Sequence, residues 1–305
     1  MFIFGAGASS FSGACAPANP PLGNTLFDEL VKFGGIAEEF VKEYGAIFRN
    51  DGFEAGMAAI QELGSKPLVT IQRQTALYLS QFVIGSDNHY EKLLRRIGNQ
   101  QIGKCNFASL NYDLLLEQAF DRMGYGIEYS AEATNHHLMP VVQLLKLHGS
   151  ANFLTTLPEN SVFSGNQFFG TQTFVDGLPF SCVPKHQDVV DWAKNERFSD
   201  LTPILAVYGK GKVSPYNNSF LKDIQKTWQE KVNQSKLIIL IGINYVAHDT
   251  HLWDCLSSAP GMIGIVNPDI FTYDGWIKTR NGKTFHLAHK FEETEKIAYA
   301  AQMFI

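Results

Sequence analysis

Short apolar segments that each end in a glycine or a polar residue recur along this chain, and they constrain its fold more than any other feature. The first is Phe2–Phe4, which Gly5 follows at once, and others cover 105–110, 142–147, 204–208, 237–241 and 262–266. Stretches with the apolar spacing of helices separate these segments. Apolar strands that alternate with helices favour a parallel sheet covered on both faces. The sequence therefore predicts an α/β fold.

A long helical stretch interrupts the alternation after the first strand. Apolar residues recur at helical spacing from Ile36 to Gly98, as in Phe40 and Tyr44, and glycines divide the stretch into about four helices. A second segment, 161–177, is rich in Phe, Gly, Thr and Asn, which predicts a hairpin or an irregular flap.

These patterns predict one domain over residues 1–305. The predicted parts are a sheet core from 1–30, 105–150 and 203–305, a helical insertion at about 31–104, and a hairpin or flap insertion at about 151–200.

Composition excludes several classes of protein. With 45% hydrophobic residues, 18% charged residues and a formal net charge of −5, the chain is too apolar for a disordered protein and lacks a broad basic surface for nucleic acid. The longest apolar run, 237–243, is far shorter than the ~20 residues of a membrane helix. The first residues lack the basic start of a signal peptide. We therefore expect a cytoplasmic protein with no membrane contact and no direct nucleic-acid binding.

Cysteine and histidine patterns do not predict a metal site. The four cysteines are scattered and form no C-x-x-C pair, so neither a zinc ribbon nor a disulfide framework is indicated. Two histidine pairs, His248 with His251 and His286 with His289, have helical spacing, but each lacks a third convincing ligand. We expect these pairs to lie on the surface.

The first strand ends in a glycine-rich turn, Gly5-Ala6-Gly7-Ala8-Ser9. Glycines between a first strand and a helix allow a diphosphate to approach the backbone closely. Ser10 stands where the third glycine of the dinucleotide fingerprint would be, so a purely structural turn fits this motif equally well.

Polar residues also follow later strands. Asn111-Tyr112-Asp113 opens an amphipathic helix, which fits either helix capping or a ligand site at the carboxyl edge of the sheet. His148 ends another strand, where a neutral imidazole can accept a proton from water or a hydroxyl. Asn244 and Asn267 follow the last two strands and fit either turns or partners for ribose hydroxyls.

The combination of these motifs resembles the sirtuin family. The segments that carry the resemblance occur in the family's order and are Gly5-Ala6-Gly7-Ala8-Ser9, Pro21-Leu22-Gly23-Asn24-Thr25-Leu26, Ser109-Leu110-Asn111-Tyr112-Asp113, Leu147-His148-Gly149-Ser150, Gly242-Ile243-Asn244 and Val266-Asn267.

The resemblance implies a Rossmann-like fold that binds NAD. It assigns catalysis to Asn111 and to His148 as the general base. It places the remaining NAD contacts at the phosphates, the nicotinamide ribose and the adenosine half, with candidates Gly5, Ala6, Gly7, Ser9, Asn24, Asp113, Gly242, Asn244 and Asn267.

The sequence also departs from the protein-deacylating sirtuins. Those enzymes carry a four-cysteine zinc module soon after the histidine-glycine pair, whereas residues 150–177 contain no cysteine. The chain has Asn-Tyr-Asp where they have Asn-Ile-Asp, and its asparagine and histidine are more widely separated. In both features it looks like the bacterial sirtuin-like proteins of anti-phage defence, which hydrolyse NAD.

Three functions are compatible with this resemblance. The first is an NAD glycohydrolase that releases nicotinamide and ADP-ribose and depletes NAD in abortive infection. The second is an NAD-dependent deacylase or ADP-ribosyl transferase, and the third is a non-catalytic subunit that senses NAD or ADP-ribose in a defence complex. NAD is the expected substrate, and no metal is predicted.

An NAD hydrolase would exhaust its own host if it were always active. We therefore expect activation by oligomerisation or by a partner protein. In related systems such partners include HerA-type ATPases and short Argonaute proteins. The helical stretch from Ile36 to Gly98 is the candidate contact surface.

Overall fold

The structure is a computed structural model that describes residues 1–63, 65–129, 140–159, 161, 175–206, 214–246 and 249–305. Its strands, in chain order, are β1 (Phe2–Phe4), β2 (Cys15–Ala16), β3 (Val83–Ile84), β4 (Phe107–Ser109), β5 (Gly126–Glu128), β6 (Val141–Lys146), β7 (Gly149–Thr155), β8 (Phe180–Cys182), β9 (Pro203–Leu205), β10 (Leu237–Ile241), β11 (Met262–Val266) and β12 (Thr284–Ala288).

The helices of the described residues also follow in chain order. They are α1 (Ala6–Ser10), α2 (Gly23–Phe33), α3 (Ile36–Asn50), α4 (Phe53–Glu62), α5 (Ser65–Ser80), α6 (His89–Ile97), α7 (Asn99–Ile102), α8 (Leu115–Arg122), α9 (His186–Lys194), α10 (Asn218–Gln234), α11 (Thr250–Ser258), α12 (Asp274–Thr279) and α13 (Thr294–Gln302). Among them, none has the length and apolar character needed to cross a bilayer.

Seven strands form the central sheet in the order β12-β11-β10-β1-β4-β6-β5. Each neighbouring pair is parallel. The central strands are buried on both faces, as every residue of β1 and β10 shows, and for this reason they are continuously apolar. The predicted parallel α/β, Rossmann-like fold with flanking helices is confirmed.

The chain leaves the sheet centre in two opposite directions. After β1 it moves to β4, and after β10 it moves to β11 and then to β12 on the other side. Because crossover connections are right-handed, this reversal places helices on both faces of the sheet. The reversal point lies between β1 and β10, and ligands of open α/β sheets bind outside the carboxyl ends of the strands at such a point.

The turns after β1 and β10 touch each other at this reversal point. The Gly7 amide donates to the Gly242 carbonyl oxygen over 2.9 Å. Gly242 has φ of +62°, and a Cβ there would lie 2.1 Å from the Ala8 nitrogen. The glycines of both turns are therefore required by the close approach of two backbones.

Several strands differ from the sequence prediction. The segment predicted at 204–208 forms β9, which pairs antiparallel with β7 in a separate three-stranded sheet and not with the central strands. Its apolar sequence does not reveal which sheet it joins. The sequence analysis also missed β2, β3, β5 and β8, the seven-residue strand β7, and the edge strand β12, which mixes polar with apolar residues.

The turns and insertions also differ in detail from expectation. The glycine turn after β1 continues directly into the short helix α1. The helix expected to open at Asn111 begins at Leu115, so Asn111 does not cap it. The predicted flap at 161–177 falls mostly outside the described residues, while the segments around it form β7, β8 and α9. The predicted domain boundaries stay a prediction.

Replacing Gly242 with alanine should destabilise the fold by at least about 2 kcal/mol, because the new Cβ meets the Ala8 backbone and the left-handed conformation is unfavourable for alanine. The free energy of unfolding from urea denaturation measures this effect. The matched control is Gly275→Ala in α12, where a Cβ meets no atom within 4 Å and should be neutral or slightly stabilising. Equal stability of both variants would contradict this account of the turn.

Candidate functional site

Asn111 and His148 follow two neighbouring parallel strands in the same register. Ser109 of β4 pairs with Lys146 of β6, and 37 positions of the chain separate these two residues (146 − 109). The same number of positions separates Asn111 from His148 (148 − 111). Each side chain therefore lies two residues beyond a paired position, at the carboxyl edge of the sheet. Asn111 is 8% exposed and His148 is 5% exposed.

Three backbone hydrogen bonds hold these strand ends together. The Leu147 amide donates to the Ser109 carbonyl oxygen over 3.0 Å, and the Ala151 amide donates to the Tyr112 carbonyl oxygen over 2.9 Å. The Ala206 amide donates to the His148 carbonyl oxygen over 2.8 Å. The loop after β4 is thus fixed to the turn between β6 and β7, and that turn is fixed to the end of β9.

The Asn111 amide group is oriented by the turn after β1. Its Nδ2 donates to the Gly5 carbonyl oxygen over 2.9 Å and to Ser9 Oγ over 2.9 Å. A backbone carbonyl can only accept, so the atom that faces Gly5 must be the amide nitrogen. Both N–H groups of Asn111 are therefore used within the protein, and its Oδ1 is left to accept a hydrogen bond.

A small polar cluster surrounds Asn111. Ser9 Oγ lies 2.9 Å from the Tyr90 hydroxyl, which comes from α6. Asp113 is 6% exposed, and its Oδ1 accepts from the Leu115 amide over 3.1 Å. Burial raises the pKa of Asp113, whereas Lys146, the Leu115 amide and a hydrogen bond from the Ser9 hydroxyl lower it.

A buried lysine lies beneath this cluster. Lys146 Nζ donates to the Asp113 carbonyl oxygen over 2.7 Å and forms an ion pair with Glu117 Oε1 at 2.8 Å. Lys146 is completely buried. Burial raises the pKa of Glu117 and the ammonium group of Lys146 opposes this rise. The pair therefore joins β6 to α8 and to the loop that carries Asn111.

His148 contacts a second histidine. Its Nε2 lies 3.1 Å from Nε2 of His251, near the start of α11. A hydrogen bond between two ring nitrogens requires one N–H and one lone pair, so a single proton lies between the two rings. His251 was expected to lie on the surface beside His248, but it is the partner of His148, and His248 lies outside the described residues.

The residues predicted at the adenosine half of NAD lie after β10 and β11. Asn267 Nδ2 donates to the Ile243 carbonyl oxygen over 3.1 Å and to Asn244 Oδ1 over 3.0 Å. Asn244 is exposed, whereas Asn267 is buried. Asn267 thus stabilises the turn after β10 by hydrogen bonds. Of Asn244 and Asn267, only Asn244 is exposed to solvent.

The predicted phosphate contacts are only partly accessible. The Gly5 amide donates to Ile241 and the Gly7 amide donates to Gly242, so both are used within the protein. Ala6 is exposed next to them. Asn24 is exposed in the first turn of α2, and no described contact joins it to the cluster around Asn111.

Four residues of this site were missed by the sequence analysis, namely Tyr90, Glu117, Lys146 and His251. Lys146 does carry a signal, because it interrupts the apolar run Leu144-Leu145-Lys146-Leu147. A charge in a central strand predicts a buried partner. Tyr90 and His251 carry no comparable signal, since each belongs to a helix distant in sequence.

The described residues contain no group of three or more His, Cys, Asp or Glu side chains arranged to hold a metal ion. The rings of His286 and His289 lie 4.3 Å apart, and His286 Nε2 lies 3.0 Å from the Asn267 carbonyl oxygen. This second pair therefore contacts the turn after β11.

Comparison with known proteins gives one likeness. The family model of the SIR2-like domain matches residues 106–189. The chain is similar to sirtuins over this segment. The matched segment contains Asn111, Asp113, Lys146 and His148, and the SIR2-like domain indicates an NAD-related function. A search of curated proteins found no match.

Replacing Lys146 with methionine should destabilise this sirtuin-like chain by about 3–5 kcal/mol, because Glu117 would keep a buried charge without a partner. The double variant Lys146→Met with Glu117→Met should recover most of this loss, since it removes both charges. Chemical denaturation measures both free energies of unfolding.

The control is the exposed ion pair of Arg95 with Glu91, in which Arg95→Met should change stability by less than about 1 kcal/mol. A Lys146→Met variant as stable as the Arg95→Met control would show that the buried pair does not hold the site.

Proposed function

We propose that the chain is an NAD glycohydrolase, which cleaves the bond between nicotinamide and ribose and releases nicotinamide and ADP-ribose. The observation that supports this most directly is the orientation of Asn111. Its two N–H groups are held by Gly5 and Ser9, so Oδ1 can accept a hydrogen bond from a water or a ribose hydroxyl. His148, a residue that can take a proton, follows the neighbouring strand in the same register.

Hydrolysis requires a water to form a bond to the ribose carbon as the bond to nicotinamide breaks. Nicotinamide leaves with the electron pair of that bond, and the water gives up one proton. Asn111 Oδ1 positions the water or the adjacent hydroxyl, and His148 accepts the proton. The cationic leaving group needs little protonation, so positioning and charge stabilisation supply most of the acceleration.

Asp113 contributes charge at the same edge of the sheet. Asp113 and Glu117 are two buried carboxyl groups that share one buried ammonium group, that of Lys146. A carboxylate near the reacting sugar stabilises the positive charge that develops on the ribose in the transition state. We assign Asp113 to the nicotinamide ribose and to the orientation of the carboxamide.

Burial of the site is consistent with an activity that is normally withheld. Asn111, Asp113 and His148 are each less than a tenth exposed. Side chains this deeply buried must become more accessible before a dinucleotide can contact them.

Incubation of the purified protein with NAD, with and without an acetylated peptide, tests this function. We expect free nicotinamide and ADP-ribose without peptide. Release that depends on the peptide would favour a deacylase, and transfer of ADP-ribose to a protein would favour a transferase. NAD binding without turnover, under conditions that promote oligomers, would favour a sensing subunit.

Asn111→Ala and His148→Ala should each lower turnover at least about 100-fold, because one loses the positioned acceptor and the other the proton acceptor. The rate of nicotinamide release measures this loss, and circular dichroism verifies the fold. Asn50→Ala in α3 and His186→Ala in α9 replace the same residue types outside the cluster and should keep wild-type rates. Wild-type turnover in either site variant would remove that residue from the mechanism.

We further propose that NAD depletion serves anti-phage defence and that the helical stretch from Ile36 to Gly98 receives the activating contact. Oligomerisation, a HerA-type ATPase and a short Argonaute protein are the candidate activators. The stretch offers exposed charges on one face of α3, including Glu39 and Glu43.

Reversing both charges, Glu39→Lys with Glu43→Lys, should shift sedimentation toward the monomer and leave NAD affinity unchanged, because the surface lies outside the site. Reversal of Lys278 to Glu in α12 is the control for a charge change elsewhere. An unaltered sedimentation profile of the double variant would exclude this face of α3 as the contact between copies.

A further inference from the structure

Tyr90 brings a hydroxyl from the helical stretch into the polar cluster around Asn111. The residue is the second of α6 and is 1% exposed. Its ring lies 5.2 Å from that of Phe4 and 5.0 Å from that of Phe291. Aromatic packing from β1 and from the segment before α13 therefore fixes the ring, and the hydroxyl has a defined position.

Ser9 links Tyr90 to Asn111. Ser9 Oγ accepts from Asn111 Nδ2 over 2.9 Å and lies 2.9 Å from the Tyr90 oxygen. Either hydroxyl can donate in the bond between Ser9 and Tyr90. Asn111 Nδ2 also donates to the Tyr90 oxygen over a longer distance, 3.5 Å. The Ser9 hydroxyl is therefore held between the Asn111 amide and the Tyr90 hydroxyl.

Tyr90 stays protonated in this environment. Burial and the nearby carboxylate of Asp113 raise the pKa of its hydroxyl well above the usual value. The phenol therefore keeps its proton at physiological pH. A neutral hydroxyl on a packed ring gives Ser9 a hydrogen-bond partner in a fixed position.

We propose that Tyr90 is a positioning residue, which acts through Ser9 to hold the Asn111 amide in place. This inference rests on the proposed NAD hydrolysis for its effect on rate, but not for its effect on structure. It also gives the helical stretch a direct connection to the site, because a displacement of α6 moves the Tyr90 hydroxyl.

The test is Tyr90→Phe, which removes one oxygen and keeps the packed ring. Tyr125→Phe is the matched control, because it removes a buried hydroxyl that donates to the Asn99 carbonyl oxygen, away from the cluster. We expect Tyr90→Phe to lower kcat about 10-fold with KM within about 2-fold, since Tyr90 orients groups that act in the transition state. Tyr125→Phe should retain both constants.

A double-mutant cycle with Ser9→Ala tests whether Tyr90 acts through Ser9. If it does, the double variant should be no slower than Ser9→Ala alone, because the Tyr90 hydroxyl then keeps only its longer contact with Asn111 Nδ2, at 3.5 Å. Rate losses that multiply, or a Tyr90→Phe enzyme as fast as the wild type, would overturn the proposal.

Hydrogen exchange separates this inference from the proposed function. Amide protons of residues 5–10 and 110–115 should exchange at least about 5-fold faster in Tyr90→Phe than in Tyr125→Phe, with or without NAD. Unchanged protection in both segments would overturn the positioning role. A wild-type protein that binds NAD without cleaving it would instead overturn the hydrolase and leave this comparison valid.

Discussion

The site depends on one buried ammonium group, that of Lys146. An isolated charge in the interior is strongly unfavourable, so Lys146 determines where Glu117 and the Asp113 carbonyl oxygen must lie. This requirement ties the last residue of β6 to the first turn of α8 and to the loop between β4 and α8. Asn111 and His148 extend from those two segments, whose register is set by the backbone pairing of β4 with β6.

A second set of contacts gives the site its polarity. Ser9 comes from α1, Asn111 and Asp113 come from the loop after β4, and Tyr90 adds a hydroxyl from a helix that begins 79 residues after α1 ends (89 − 10). His251 approaches His148 from α11 in a similar way. The carboxyl edge of the sheet therefore carries the groups proposed to react, while helices from distant parts of the chain contact them.

Local sequence patterns predicted the sheet well and the site in part. The segments that form β1, β10 and β11 were predicted because they carry no polar side chain along their whole length, which follows from burial on both faces. The segments of β4 and β6 were predicted because most of their residues are apolar, although Ser109, Gln143 and Lys146 lie within them. The position of β9 in the second sheet was not predicted, because an apolar segment is compatible with any buried partner. Asn111 was compatible with helix capping, but its side chain instead contacts Gly5 and Ser9 after β1.

The sequence alone determined the strand ends and the residue types placed on them, since apolar runs and glycine turns depend on neighbouring residues in the chain. Only the tertiary structure decided which side chains meet. Tyr90 reaches Ser9 across 81 positions, and His251 reaches His148 across 103. Such contacts depend on how helices pack against the sheet, and packing is set by the shape of the whole core rather than by any short segment.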